Sequence, residues 1–196
     1  MVNPGGFGPS GGEFHQCDKW HTYAIAIINH LRPDLVIVTQ ETHGAPGNHL
    51  YTSAQWQQGL TSFFAAITVP SVHFEVIGNM PDMPTDPSQC LDEHSQDVPA
   101  CSAPVARVAP PNAQAEEQAV AATGGRYVDV MPWFCSTICS AIVGKYQVYF
   151  NQQHVMGSYA LSLEGVMAEA LQLPTSAETH PSTKVPRPSN AAVPSG

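Results

Sequence analysis

Asn151-Gln152-Gln153-His154 places an imidazole three residues after a carboxamide, just ahead of an apolar helical stripe. A histidine at such a point can project from a sheet edge and take a proton from a serine hydroxyl. A carboxylate three residues earlier can reach its other ring nitrogen and fix the tautomer. Position 151 holds Asn, which can orient the ring but cannot compensate an imidazolium charge. The plain alternative is a solvated loop histidine at a helix start. A nucleophile is harder to find. Gly8-Pro9-Ser10-Gly11-Gly12 has G-x-S-x-G spacing, but that chemistry needs a buried strand immediately before the serine. Pro4, Gly5 and Gly6 argue against one, so the segment reads as a flexible lead-in. Asp129, on an apparent strand, is a candidate displaced acid or a structural carboxylate.

The five cysteines admit two chemistries and a bland third. Cys90 and Cys101 bracket ten residues of a proline-rich loop, and Cys135 and Cys139 form a C-x3-C pair. Two disulfides would close these loops and leave Cys17 alone; an oxidising compartment follows from that reading. Alternatively, His15, Cys17 and His21 join Cys135 and Cys139 around zinc, although C-x3-C departs from the usual C-x2-C turn. Reduced structural thiols are the third. The remaining histidines show no metal spacing, and no cofactor is expected.

These residues need a scaffold, and the periodicity supplies one. Trp20, Tyr23, Ala24, Ile27, Ile28 and Leu31 mark an amphipathic helix over about 17–31, stopped by Pro33. Asp34 to Thr39 is a short apolar strand. Trp56, Leu60, Phe63, Phe64 and Ile67 make a second helix, and Val72, Phe74 and Val76 a second strand ended by Gly78. Trp20 and Trp56 are expected in the core. A long loop with five prolines between Pro81 and Pro104 follows. Asn112 to Thr123 reads as a helix closed by Gly124-Gly125, Tyr127 to Val130 as a strand, Val148 to Phe150 as a short strand end, and 155–172 as a last helix. Alternating helices and strands predict an α/β fold, a three-layer α/β/α sandwich on a parallel sheet. Reactive groups then gather in loops at the carboxyl ends of the strands: Gln40–Asn48, Gly78–Pro84, Met131–Cys139 and Asn151–His154.

Composition bounds the function. The chain has 196 residues, 43% of them hydrophobic and only 12% charged, which suits one globular domain. A net charge of −9 argues against nucleic-acid or anionic-membrane partners. No apolar run approaches a membrane span, and Met1 to Gly12 lacks the features of a signal peptide. Residues 1–14 read as a disordered lead-in, 15–173 as the domain, and 174–196 as a disordered Pro/Ser-rich tail.

Several segments, in order, carry a family resemblance. They are Leu31-Arg32-Pro33-Asp34-Leu35-Val36-Ile37-Val38; Val76-Ile77-Gly78-Asn79-Met80-Pro81; Cys90-Leu91 with Asp97 and Cys101; Tyr127-Val128-Asp129-Val130 with Pro132-Trp133-Phe134-Cys135 and Cys139; and Val148-Tyr149 leading to His154. Over about 17–173 the chain resembles the SGNH (GDSL-type) hydrolase superfamily. It is most similar to the SGNH domain fused to bacterial type-3 membrane acyltransferases.

That resemblance implies a flavodoxin-like SGNH fold, incomplete at its N-terminus. It implies O-acyl transfer through a serine acyl-enzyme from an acyl donor to a cell-surface carbohydrate hydroxyl or to water. It also implies an extracytoplasmic location beside a membrane acyltransferase domain. His154 matches the family histidine, and Asn151 falls where the family has Asp. The family nucleophile, in a Gly-Asp-Ser motif upstream of the position of Cys17, has no counterpart in this sequence. The family oxyanion-hole Asn would fall near Glu41 to His43, with Asn48 a weak substitute. Trp133 could line a substrate cleft or pack its loop. The chain is therefore expected to be inactive alone, a fragment or a remnant, with an exposed sheet edge and a tendency to associate. The alternative is a non-catalytic carbohydrate- or partner-binding remnant of the same fold.

Overall fold

Three short apolar strands form the centre of the molecule. The computed structural model describes residues 15–40 and 51–173. The elements begin with α1 (His15–Leu31), β1 (Leu35–Thr39), α2 (Ser53–Ala65), β2 (His73–Ile77) and α3 (Pro87–Glu93). A 3-10 turn (Val98–Cys101), β3 (Ala103–Pro104), α4 (Val105–Val108), α5 (Ala113–Ala121) and β4 (Arg126–Val128) follow. The chain continues through α6 (Met131–Phe134), β5 (Ile138–Cys139), β6 (Ile142–Val143), β7 (Tyr146–Gln147), α7 (Gly157–Ser162) and α8 (Glu164–Ala170). Strands β1, β2 and β4 pair in parallel in that order, with Val36 beside Phe74, Val38 beside Val76, and Val76 beside Tyr127. The α/β class with a parallel sheet and helices is as the sequence predicts.

Successive strand residues point to opposite faces, and this divides the interior in two. Val36, Phe74 and Val76 meet Trp56, Leu60 and Phe64 of α2 and Ala119 and Val120 of α5. Ile77 and Val128 belong to the second cluster, with Phe134, Val148, Tyr149 and Tyr159. Helix α2 starts where it does because Thr52 and Gln55 form a capping box: Thr52 Oγ1 accepts from the Gln55 backbone N–H at 3.2 Å, and the Thr52 N–H donates to Gln55 Oε1 at 3.0 Å. The segment after α5 reverses through Gly124 at φ +74°. A Cβ on the next residue, Gly125, would lie 2.5 Å from the Phe74 carbonyl oxygen, so close packing there requires glycine.

The proline-rich loop is better ordered than its composition predicts. Asp86 caps α3, its carboxylate accepting from the Ser88 and Gln89 N–H groups. Cys90 and Cys101 are disulfide-bonded, as are Cys135 and Cys139. The first bridge closes a loop with sequence separation 11, which removes about 3 kcal/mol of chain entropy from the unfolded state. The second removes both of its thiols from any zinc site, and among the described residues no group of acidic, His or Cys side chains is placed to hold a metal. Cys17 is unbonded.

Four expectations change. The last helix is two, α7 and α8, meeting at Leu163, which serves as C-cap of one and N-cap of the other. Val148–Phe150 is not a strand; only an isolated bridge joins Tyr149 to Val155. Asp129 lies just past β4, where it accepts from the Met131 N–H at 3.0 Å and starts α6. Trp20 is not in the core: it is 62% exposed, against 2% for Trp56. Periodicity reports which face of a helix is apolar, not whether anything lies against it. Helix α1 buries none of its residues fully.

That helix overhangs the β1 edge. Trp20, Ala24 and Ile28, with Val36, Val38 and Leu60, line an open groove of about 340 Å³. Its tether is Asn29, whose amide donates to the Ala66 carbonyl at 3.0 Å and accepts from the Thr68 N–H at 2.7 Å. β1 ends the sheet among the described residues, and Ile37 on it is 41% exposed. An apolar strand edge of this kind recruits other strands. The purified chain is expected to elute as dimers or larger species, increasingly so on concentration. Ile37→Lys should move it towards the monomer. A monomeric parent chain, stable on concentration, contradicts this.

Candidate active site

Because the strands are parallel, Thr39, Ile77 and Val128 end at one edge of the sheet. The segment that leaves β2 at that edge meets, at Met83, the loop that carries the histidine, which itself follows β7. Asn151 Oδ1 lies 2.9 Å from His154 Nδ1 and also accepts from the Gln153 backbone N–H at 3.0 Å. The second bond decides the orientation of the carboxamide, since a backbone N–H needs an oxygen, not an amino group, opposite it. Facing that oxygen, Nδ1 carries the proton and donates. Nε2 is then the free base, on an exposed side chain. This is the tautomer a general base requires.

The loop itself is pinned from several sides. The Phe150 N–H donates to the His154 carbonyl at 2.8 Å, and the Met83 N–H donates to the Gln152 carbonyl at 2.9 Å. Ser88 Oγ donates to the carbonyls of Tyr149 and Phe150 at 3.2 and 2.7 Å. The disulfide-closed, proline-rich segment thus grips the histidine loop through α3. Beneath it, Tyr149 is fully buried and stacks on Phe134 at a ring separation of 6.2 Å. Burial holds its phenol well above the ordinary tyrosine range.

Beside this loop opens a cleft of about 400 Å³. Thr39, Gly78, Asn79 and Val130 border it at the strand ends. Trp133 and Phe134 line it from α6, and Val155, the neighbour of His154, from the loop. Trp133 therefore lies on the cleft, its carbonyl accepting from the Tyr159 hydroxyl. Asn79 was not singled out by the sequence as a site residue. Its amide nitrogen is buried and has no acceptor among the described residues. Its place two residues past the end of β2, after Gly78, is the signal that could have found it. Asn48 and Ser10 lie outside the described residues. Among the described residues no serine, threonine or cysteine hydrogen-bonds to His154.

A second polar cluster lies on the opposite face of the same edge. Glu116, in the first turn of α5, is completely buried. Its Oε1 accepts from Gln40 Nε2 at 3.0 Å and from Trp56 Nε1 at 3.2 Å. Oε2 is buried with no partner. Burial pushes this carboxyl up to about 7, and the two hydrogen bonds offset only part of that. The sequence hides this residue in an Ala/Glu-rich helix, but Glu116 shares a face with Ala119 and Val120, three and four residues on. At the start of α1, Cys17 Sγ lies 3.7 Å from His21 Nδ1, and burial pushes the thiol up and the imidazole down. Neither shift favours a thiolate–imidazolium pair.

Comparison with known proteins adds to this geometry. The fold is similar to the solved periplasmic domain of a lipopolysaccharide acetyltransferase from Salmonella ser. Paratyphi A, with a TM-score of 0.57 and 14% sequence identity. The similarity covers 79% of this chain and 63% of that one, so the chain spans less than two thirds of its structural relative. No curated protein matches the sequence. Residues 3–169 match the family described as "SGNH domain (fused to AT3 domains)". A match over that much of the sequence settles membership: the chain belongs to the family of SGNH domains fused to AT3 domains.

Proposed function

We propose that this chain carries the general-base part of an O-acyl-transfer site and, taken alone, forms no serine acyl-enzyme. The observation that carries the reading is the Asn151–His154 pair, held at 2.9 Å in the base-competent tautomer beside a cleft at the strand ends. In an acyl transfer of this kind, Nε2 would take the proton from the attacking hydroxyl as the oxygen bonds to the ester carbonyl. It would return that proton to the leaving oxygen, or to the leaving sulfur of a thioester, when the tetrahedral intermediate collapses. The acceptor class is a carbohydrate hydroxyl of the cell surface, and the donor an acyl ester or thioester. The domain works outside the cytoplasm with a membrane acyltransferase domain of the AT3 kind. Family membership and the periplasmic domain of similar fold support that placement. Among the described residues no helix is long and apolar enough to cross a membrane.

Nucleophilic catalysis needs its nucleophile, and removing the serine of a triad costs on the order of 10⁶ in kcat. Exposure of the purified chain to p-nitrophenyl acetate should therefore leave no acetyl group on a serine, read by intact and peptide mass spectrometry. Hydrolysis should be no faster than with a denatured sample. An acetyl-serine that is lost in His154→Ala, together with catalytic turnover, would overturn the proposal.

A further inference from the structure

We propose that the cleft beside the histidine loop binds the hydrocarbon chain of an acyl ester longer than acetyl, an inference that rests on the acyl-transfer reading above. The cleft measures about 400 Å³. That is within the range of small-molecule sites and far more than a two-carbon group fills. Its walls are Ile77, Met80, Trp133, Phe134, Leu163 and Met167. Two thioether side chains and an indole give a conformable apolar lining, suited to a flexible chain. The polar side chains on the cleft are few: Thr39 and Asn79 at the strand ends, and Glu164, an exposed side chain. A sugar ring, with a hydroxyl on almost every carbon, would leave most of those hydroxyls unpaired against such walls.

The polar end of the ligand has a place as well. Asn79 offers a buried amide nitrogen that lacks an acceptor. An unpaired buried donor is costly unless something answers it, and a small rotation of the carboxamide, which borders the cleft, would present it to an ester carbonyl oxygen. Asn79 belongs to the strand-end border of the cleft, and Val155, next to His154, lines the same cleft. A chain lying among Leu163 and Met167 thus directs its carbonyl towards the edge where the imidazole stands. The histidine acts on the ester end, and the cleft selects by the other.

The probes are monooctanoylglycerol, below its critical micelle concentration, and monoacetylglycerol, with free glycerol and glucose as polar controls. Binding to the intact chain is measured by calorimetry and by chemical-shift changes. The octanoyl ester should bind at least about tenfold more tightly than the acetyl ester, since six further methylenes leave water. Ala160→Phe, which fills the cleft from an exposed helical position, should abolish that difference, and Asn79→Ala should weaken both esters alike. His154→Ala should bind as the parent does. Failure of the chemistry and failure of this inference are thereby separate results. Equal affinity for the two esters, glucose binding that shifts the cleft residues Trp133 and Met167, or a chain-length preference that survives Ala160→Phe would each overturn it.

Discussion

Asn151→Asp is expected to raise His154-dependent acetyl transfer from p-nitrophenyl acetate to added trifluoroethanol by on the order of 100-fold. The small alcohol stands in for the serine hydroxyl, so the assay isolates the base from the nucleophile. In the parent chain the geometry of the pair is already in place: Asn151 Oδ1 receives both the imidazole N–H and the Gln153 backbone N–H. What the amide lacks is charge. As Nε2 takes a proton, the ring becomes cationic, and a neutral carbonyl stabilises that cation far less than a carboxylate does. Aspartate is nearly isosteric and can keep both hydrogen bonds. In complete serine triads the reverse change costs about 10⁴ in rate, through the wrong tautomer; here the tautomer is already correct and the attacking alcohol is not held in place, so the gain is the smaller part that comes from charge. Asn151→Asp with His154→Ala should return to background. A rate unmoved by Asn151→Asp, with the fold intact by circular dichroism, would show that the pair does not act as base and orienter.

The second large effect is on stability. Glu116 has its carboxyl raised from 4.5 to about 7 by burial. Below pH 4.5 the group is protonated in the folded and unfolded chains alike and contributes no pH dependence. Between 4.5 and 7 the unfolded chain releases the proton and the folded chain keeps it. Unfolding then releases a proton, and stability falls as pH rises through that window. The full effect is on the order of 3 kcal/mol, levelling off above pH 7. Unfolding free energies from urea melts at pH 4.5 and 7.5 should differ by this amount in the parent and by much less in Glu116→Gln. The amide can still accept from Trp56 and Gln40 but does not titrate. Identical pH dependence in the two proteins would mean that the carboxyl is not the group responsible. Direct pairing of Oε2 with a cation would reverse the sign.

The comparison of sequence and structure divides along physical lines. Trp56, Leu60, Phe63 and Phe64 were legible because a helical apolar stripe packed on a sheet leaves its period in the chain. Trp20, Ala24 and Ile28 have the same period, yet they face a groove, since periodicity carries no information about the partner. The parallel sheet was legible from alternation; the break at Leu163 was not, because both halves of the last helix keep one apolar face. At the site, the spacing of Asn151 and His154 allowed a pair and equally a solvated loop histidine; the pair is seen only in the fold. The orientation of the amide could not be read either, because it depends on the Gln153 N–H within the folded loop. Asn79 and Glu116 owe their importance to a missing partner and to burial, which are properties of neighbours remote in the sequence.

The overhanging helix α1 also bears on cooperativity. It is tied to the rest mainly through Asn29 and through the partial packing of Ile25 and Ile28. Its detachment leaves the packing of α2, α5 and the three strands intact. Such an element opens at a fraction of the global unfolding free energy. A melt of this chain then has two parts: an early, shallow loss of helicity as α1 frays, and a sharp transition for the remainder. Amide exchange should follow the same order, fast along α1, intermediate in β1, which has one strand partner among the described residues, and slowest in β2, which is bonded on both sides. The domain behaves as a compact unit with one loosely attached flank, and a single unfolding free energy describes only the former.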